Sequence, residues 1–85
     1  MANYFLIRAT LHVDGYEYAA LFATKSGRVA LSNAEALQLI AESLDDTGVM
    51  DGAVVDNRAG CYTVDRTELV YPSVYNIVAP YAEVV

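Results

Sequence analysis

His12 and Glu17 are the residues of this sequence that come nearest to catalytic chemistry. His12 is the only histidine of the chain, and a histidine beside a carboxylate can act as a base or as a pH switch. A nucleophile is missing from the pattern, because Thr10 is the only nearby hydroxyl and nothing around it would activate it. We therefore predict a cross-strand polar contact and no catalytic residue, with a small enzyme using His12 as a remote alternative.

The sequence also predicts no metal ion and no cofactor. One histidine and one cysteine, Cys61, cannot complete a closed zinc site, and Cys61 is expected to be a small buried apolar residue. The acids between Asp45 and Asp56 lack the ligand alternation of a calcium-binding loop. No phosphate-binding loop, dinucleotide fingerprint or nucleophile elbow occurs. In a chain of 85 residues, which leaves little surface for a substrate pocket, these observations argue against an enzyme.

Acidic residues are concentrated in residues 35–56, which we call the acidic segment. No basic residue occurs between Arg28 and Arg58, and the net charge of the chain is -6. Because phosphates repel such a chain, we expect no direct contact with nucleic acid. A basic protein or nucleoprotein complex is the expected partner. The predicted partner-binding residues are Glu35, Leu39, Glu42, Asp45, Asp46, Asp51 and Asp56.

Phosphate mimicry explains the choice of these residues. Carboxylates three or four positions apart on a helix lie within several Å of one another, comparable to neighbouring phosphates. Leu39 and nearby tyrosines would anchor the contact, since tyrosine supplies a large area and a hydroxyl group. Of the seven tyrosines, Tyr16 and Tyr18 are expected on the core face of a sheet. The pattern leaves open whether the remaining ones belong to the core or to an interface: Tyr4, Tyr62, Tyr71, Tyr75 and Tyr81.

The first thirty residues predict the sheet that positions these groups. Asp14-Gly15 separates two alternating runs and favours a two-residue hairpin. In that register Val13 faces Tyr16 and Ile7 faces Phe22, which gives one apolar face. A second turn at Ser26-Gly27 would add a third strand, with Val29 opposite Thr24.

A helix is expected next, because residues 32–35, Ser-Asn-Ala-Glu, form a capping box. Its apolar stripe contains Ala36, Leu37, Ile40, Ala41 and Leu44. The helix should end near Leu44 or Asp45, with Gly48 available as its terminating glycine.

A second hairpin is predicted from residues 53–56 and 61–64, and a short helix or turn over residues 73–79 should follow Pro72. Pro80 would break that helix. Val74, Ile77, Val78 and Tyr81 repeat at helical spacing, so they offer a surface for a homodimer.

These elements predict one α+β domain over residues 1–85. It consists of a three-stranded antiparallel meander with one helix packed on it, a second β-hairpin and a short C-terminal helix or turn. No stretch is long and apolar enough to span a membrane, and we expect no membrane partner. The single cysteine fits a reducing compartment, so a cytoplasmic protein is expected.

A compact, acidic, tyrosine-rich α+β chain without motifs resembles the small phage-encoded inhibitors of bacterial defence, such as anti-CRISPR proteins. The resemblance covers size, charge and the acidic segment. It implies a non-enzymatic inhibitor that blocks a nucleic-acid-binding surface, located in the host cell cytoplasm if phage-encoded. The order of the first elements is also similar to the antitoxin domains of some toxin and antitoxin pairs. Two alternatives stay open: an immunity protein or antitoxin against a basic toxin, and a structural homo-oligomer.

Overall fold

The computed structural model describes residues 2–44, 47–56 and 60–85. Within these residues six strands form one sheet and two helices pack on it, which confirms the α+β class. The strand order across the sheet is β3-β4-β5-β1-β2-β6. The elements in chain order are β1 (Asn3–Val13), β2 (Tyr16–Ser26), α1 (Asn33–Ser43), β3 (Thr47–Met50), β4 (Ala53–Asp56), β5 (Gly60–Val70), α2 (Pro72–Val78), a 3-10 turn (Ala79–Tyr81) and β6 (Glu83–Val84).

The hairpin of β1 and β2 forms in the predicted register. Val13 pairs with Tyr16 and Ile7 with Phe22. Asp14 and Gly15 have φ values of 49° and 84°, the left-handed conformations that a type I′ turn needs at both positions. The local turn signal was therefore sufficient to align two strands of eleven residues each.

The predicted third strand is wrong. The backbone amide of Arg28 donates to Ser26 Oγ at 3.1 Å, and the carbonyl of Arg28 accepts from Asn3 Nδ2 at 2.7 Å. These contacts turn the chain out of the sheet after β2, and Val29 is 84% exposed. The outer edge of β2, where the third strand is expected, pairs with β6 at Phe22 and Ala23. The far side of β1 is occupied by β5, which pairs antiparallel with it from Tyr4 to His12.

The second hairpin is confirmed and is larger than expected. Strand β4 pairs with β5, and β3 adds an outer strand that pairs with β4. The turn between β3 and β4 is Asp51-Gly52, with φ values of 51° and 75°. Gly48 pairs with Val55 within β3, so the expectation that it terminates α1 is wrong.

Between Arg8 and Ala9 the pairing of β1 with β5 shifts by one residue, which leaves Asp65 as a bulge.

The capping box is present as predicted. The backbone amide of Glu35 donates to Ser32 Oγ, and the backbone amide of Ser32 donates to Glu35 Oε1, both at 3.1 Å. Helix α1 ends at Ser43, with Leu44 as its C-cap. The hydroxyl of Thr67 on β5 donates to the carbonyl of Leu31 at 2.5 Å and fixes the start of the helix over the sheet.

Two apolar clusters lie on opposite faces of the sheet. The face under α1, which we call the helix face, holds the larger cluster with fully buried Phe5, Ile7, Phe22, Ile40 and Val54. The other face, which we call the open face, is covered only at one end. There α2 and the 3-10 turn cover the sheet, and Tyr75 of α2 packs against Leu6 and Ala23.

The C-terminal segment confirms the predicted short helix after Pro72 and its end at Pro80. Pro72 occupies the first turn of α2, and Pro80 lies in the 3-10 turn that ends it. Strand β6 then pairs parallel with β2 at Phe22 and Ala23. In the described ranges neither helix has the length and apolar character needed to cross a membrane.

Candidate functional site

Glu35 is bound within its own chain. Besides its capping bond to Ser32, its Oε2 lies 2.5 Å from Arg28 Nη1. The hydrogen bond from the Ser32 backbone, followed by that from the Ser32 side chain and the charge of Arg28, lowers the pKa of Glu35. Its carboxylate therefore serves first to start α1 and to hold the preceding loop, which limits what it can offer to a partner.

Leu39 is half-buried against the helix-face cluster. It borders an open groove of about 250 Å³ between α1 and the end of β2. Two basic and two acidic side chains border the same groove: Lys25, Arg28, Glu35 and Glu42. The surface around Leu39 is thus mixed in charge, and the acidic character of the segment must come from its later residues.

Glu42 and Asp51 are the predicted site residues that are exposed within the described ranges. Glu42 lies on the last turn of α1, and Asp51 lies at the tip of the hairpin formed by β3 and β4. Asp45 and Asp46 lie outside the described residues, and so does the side chain of Asp56, whose backbone belongs to β4. The structure thus assigns Glu42 and Asp51 to the part of the molecule built from α1, β3 and β4.

Every basic side chain that the structure describes has a partner in the same chain. Glu68 Oε1 lies 2.7 Å from Arg8 Nε and 2.8 Å from Arg66 Nη2, and the hydrogen bond from Arg8 is the largest cause of its lowered pKa. Lys25 Nζ lies 5.7 Å from the ring centroids of both Tyr4 and Tyr75, within cation–π range. Arg28 is likewise paired with Glu35, so the described basic side chains are all engaged by groups of the same chain.

Four of the described carboxylates have no ion pair or hydrogen bond: Asp14, Glu42, Asp51 and Glu83. Asp14 lies at the tip of the β1–β2 hairpin, and Glu83 lies on β6 at the edge of the sheet opposite to β3. The surplus negative charge of the chain therefore faces solvent and is distributed over more than one side of the molecule.

His12 has a hydroxyl neighbour that the sequence did not reveal. Its Nε2 lies 3.0 Å from Thr63 Oγ1 on β5, so the prediction that Thr10 is the only nearby hydroxyl is wrong. Its Nδ1 lies 3.6 Å from Glu17 Oε1, which is longer than a hydrogen bond. Thr63, His12 and Glu17 stand in the order of a catalytic triad: hydroxyl, imidazole and carboxylate. The Glu17 side chain, however, is 72% exposed and does not hold the imidazole in place. The absence of catalysis stays a prediction.

The Thr10 hydroxyl does not contact His12. It donates to Oδ2 of Asp65, the bulge residue of β5, at 2.9 Å. The polar residues of β1 and β5 thus form a series of separate contacts along the uncovered half of the open face: His12 with Thr63, Thr10 with Asp65, and Arg8 with Glu68. Within the described ranges, no three of the histidine, cysteine, aspartate and glutamate side chains cluster as metal ligands would.

The tyrosines divide into core and surface. Tyr75 is 5% exposed, and Tyr62 packs edge-on against Phe22 at 5.6 Å between ring centroids. Tyr16 and Tyr18 lie on the helix face as predicted, but they extend past α1 and are 67% and 54% exposed. Tyr71 and Tyr81 are exposed as well.

The residues predicted for a homodimer are mostly on the surface. Val74, Ile77 and Tyr81 are exposed at 38%, 70% and 87%, whereas Val78, the last residue of α2, is half-buried against the cluster of Leu6, Ala23 and Tyr75. We call the exposed three the C-terminal stripe. A homodimer through these residues remains a proposal.

Sequence reasoning missed two features of the surface. The alternation of Cys61, Thr63 and Asp65 was a signal for a polar strand face, but its pairing with β1 depends on contacts more than fifty positions apart. Asp51-Gly52 carried the same turn signal as Asp14-Gly15, and a strand at Thr47–Met50 could have been inferred from it.

Comparison with protein-family models, with curated proteins and with solved structures finds no match for this chain.

Proposed function

We propose that this chain is a non-enzymatic binding protein whose acidic segment docks on a basic surface of another protein, in competition with nucleic acid. The single observation that supports the proposal is that the described arginines are paired with glutamates of the same chain. Arg8, Arg28 and Arg66 are paired with Glu35 and Glu68. A partner approaching Glu42 and Asp51 therefore meets carboxylates that form no ion pair with a described cation, with Lys25 and Arg28 in the groove that Glu42 borders.

A basic partner gains from this arrangement in two ways. Long-range attraction to a chain of net charge -6 raises the rate of encounter. Arginine side chains of the partner can then form charge-assisted hydrogen bonds with Glu42 and Asp51, which are already exposed and need not first break internal contacts. An inhibitor of a nucleic-acid-binding protein, of the anti-CRISPR kind, would use this chemistry, and an immunity protein against a basic toxin would use the same surface.

The test is affinity capture from a lysate with a pair of variants of equal charge. Glu42→Gln combined with Asp51→Asn removes two charges from the acidic segment. Asp14→Asn combined with Glu83→Gln removes two charges elsewhere on the surface. Asp14 and Asp51 start the same type of turn, and asparagine fits that position equally well, so both variants should fold.

We expect the first variant to lose at least tenfold in affinity for the captured basic protein and the second to lose less than threefold. Binding of the wild type should weaken steeply between about 50 and 500 mM salt, because the contact is between exposed charges. Duplex DNA or RNA should displace the chain from the purified partner. Equal losses in the two variants, or binding that salt does not weaken, would contradict the proposal.

A further inference from the structure

Strand β2 has an edge that is only partly covered. Its pairing with β1 begins at the two-residue turn, where Val13 and Tyr16 face each other as the first hydrogen-bonded pair. Even-numbered residues of β2 therefore direct their backbone groups to β1, and odd-numbered residues direct theirs outward. The Val85 amide donates to the Ala23 carbonyl at 2.9 Å, in agreement with this alternation.

Strand β6 pairs with only the far end of this edge, and Tyr81 of the 3-10 turn borders a groove along Glu17–Leu21 without pairing with β2 there. The parallel pairing of Phe22 with Glu83 and of Ala23 with Val84 engages the outward groups of Ala23 and the carbonyl of Leu21. Glu17 and Ala19 keep an outward amide and carbonyl each, and both residues are exposed. This free edge, residues 16–20, has no proline, no glycine and one charged residue, so it lacks most of the protections that exposed edge strands carry.

We propose that the free edge pairs antiparallel with the same edge of a second copy of this chain, about a two-fold axis at Tyr18. The proposal is independent of the proposed function. It follows from the registers that a two-fold axis permits. Directly opposed residues of an antiparallel pair point to the same face, so the axis must pass through a residue position and not between two.

Only one of the three central positions suits the axis. An axis at Glu17 opposes two like charges. An axis at Ala19 requires the Leu21 carbonyl, which β6 already uses, and sets Tyr16 of the second copy opposite Phe22, the position that Glu83 already holds. An axis at Tyr18 pairs Glu17 with Ala19 of the second copy, and the two outward groups of each residue are satisfied in both chains.

The side chains agree with this register. Tyr18 lies opposite its own copy and Tyr16 lies opposite Ala20, so large and small residues alternate across the contact. Tyr16 is 67% exposed and Tyr18 is 54% exposed, and a tyrosine side chain offers on the order of 200 Å². With the paired backbone the total buried area comes near ~1,000 Å², the lower end for a specific interface. A dissociation constant in the micromolar range is expected.

Charge gives the dimer a recognisable salt dependence. The turn of one chain ends beside β6 of the other, which brings Asp14 towards Glu83, and both are acidic. Salt screens this repulsion and that between two chains of charge -6. Dimerisation should therefore strengthen with salt, whereas capture of a basic partner should weaken, so failure of one proposal is distinguishable from failure of the other.

Disulfide trapping tests the register in the full chain. In a Cys61→Ser background, Tyr18→Cys places two cysteines at the axis, with Cα atoms about 4.5 Å apart, which suits a disulfide. Glu17→Cys and Ala19→Cys place their own copies beyond about 7 Å, which is too far for a disulfide. We expect a covalent dimer under mild oxidation from Tyr18→Cys alone. Trapping at Ala19→Cys instead, or at none of the three, would overturn the proposal.

Sedimentation equilibrium gives the second measurement. The wild type should be a reversible dimer at 100 μM, and Tyr18→Lys should be a monomer with unchanged circular dichroism. Tyr71→Lys is the control, since Tyr71 is 79% exposed but lies away from the free edge. A monomeric wild type contradicts the proposal. A dimer that survives Tyr18→Lys and dissociates with Ile77→Lys assigns the interface to the C-terminal stripe and also contradicts it.

Discussion

Asp14 and Asp51 occupy the same position in two separate Asp-Gly turns, with φ values of 49° and 51°. An L-residue other than asparagine or aspartate pays roughly 1–2 kcal/mol in this conformation. We therefore expect Asp14→Ala and Asp51→Ala each to lower the free energy of unfolding by about 1 kcal/mol. The corresponding asparagine variants should stay within about 0.5 kcal/mol of the wild type in urea denaturation. An alanine variant as stable as the wild type would show that the turn conformation does not limit stability.

Glu68 links stability to pH through its two arginines. Because the hydrogen bond from Arg8 lowers the pKa of Glu68 in the folded state, the unfolded chain binds the proton more readily. The stabilisation is thus present above about pH 4.3, the ordinary glutamate value, and is lost as pH falls through the lowered value. Glu68→Gln should lower the urea midpoint at pH 7 and make its decline towards pH 3 shallower. A parallel decline in both proteins would exclude Glu68 as a source.

Gly60 begins β5 with φ of 130°, and a Cβ atom built there would lie within clashing distance of the carbonyl oxygen of His12. Gly60→Ala should therefore destabilise the fold by at least about 2 kcal/mol, through backbone strain and loss of the close approach of β1 and β5. Gly27→Ala is the matched control, because nothing lies within 4 Å of its Cβ position. Thermal unfolding of the two variants should separate them clearly, and equal melting temperatures would contradict the expectation.

Ser32 caps α1 through its hydroxyl. Ser32→Ala should cost about 1 kcal/mol, the usual value for an N-cap. Ser32→Asp should keep most of the stability, because its carboxylate can accept the same bond. Hydrogen exchange of amides in the first turn of α1 should rise in the alanine variant alone. If exchange rises equally in Ser32→Asp, the hydroxyl bond is not what holds the helix start.

His12 and Thr63 form a structural contact in our interpretation. Thr63→Val should lower the free energy of unfolding by about 0.5–1.5 kcal/mol, the net worth of an ordinary hydrogen bond, and binding to a captured partner should not change. His12→Ala should likewise leave partner binding intact. A hydrolytic activity of the wild type that disappears in both variants would instead assign a catalytic role to Thr63 and His12.

The sequence by itself determined the elements whose partners are adjacent in the chain. Asp14-Gly15 aligned β1 with β2, the capping box at Ser32 placed the start of α1, and Pro72 placed the start of α2. In each case a few neighbouring residues restrict the backbone to one conformation, and the pairing that follows needs no distant segment.

Tertiary structure alone decided which segments meet across the sheet. The short run at Val29 was expected on the outer edge of β2, but that edge pairs with β6 at Phe22 and Ala23. The distant strand β5 pairs along β1 from Tyr4 to His12 and also packs under α1. That choice brought Thr63 to His12 and put Glu68 between two arginines. It also left Tyr18 on a strand edge that β6 is too short to cover. Contacts of this kind depend on which of several distant segments packs on a given face of the sheet. A local sequence pattern does not predict the result of that competition.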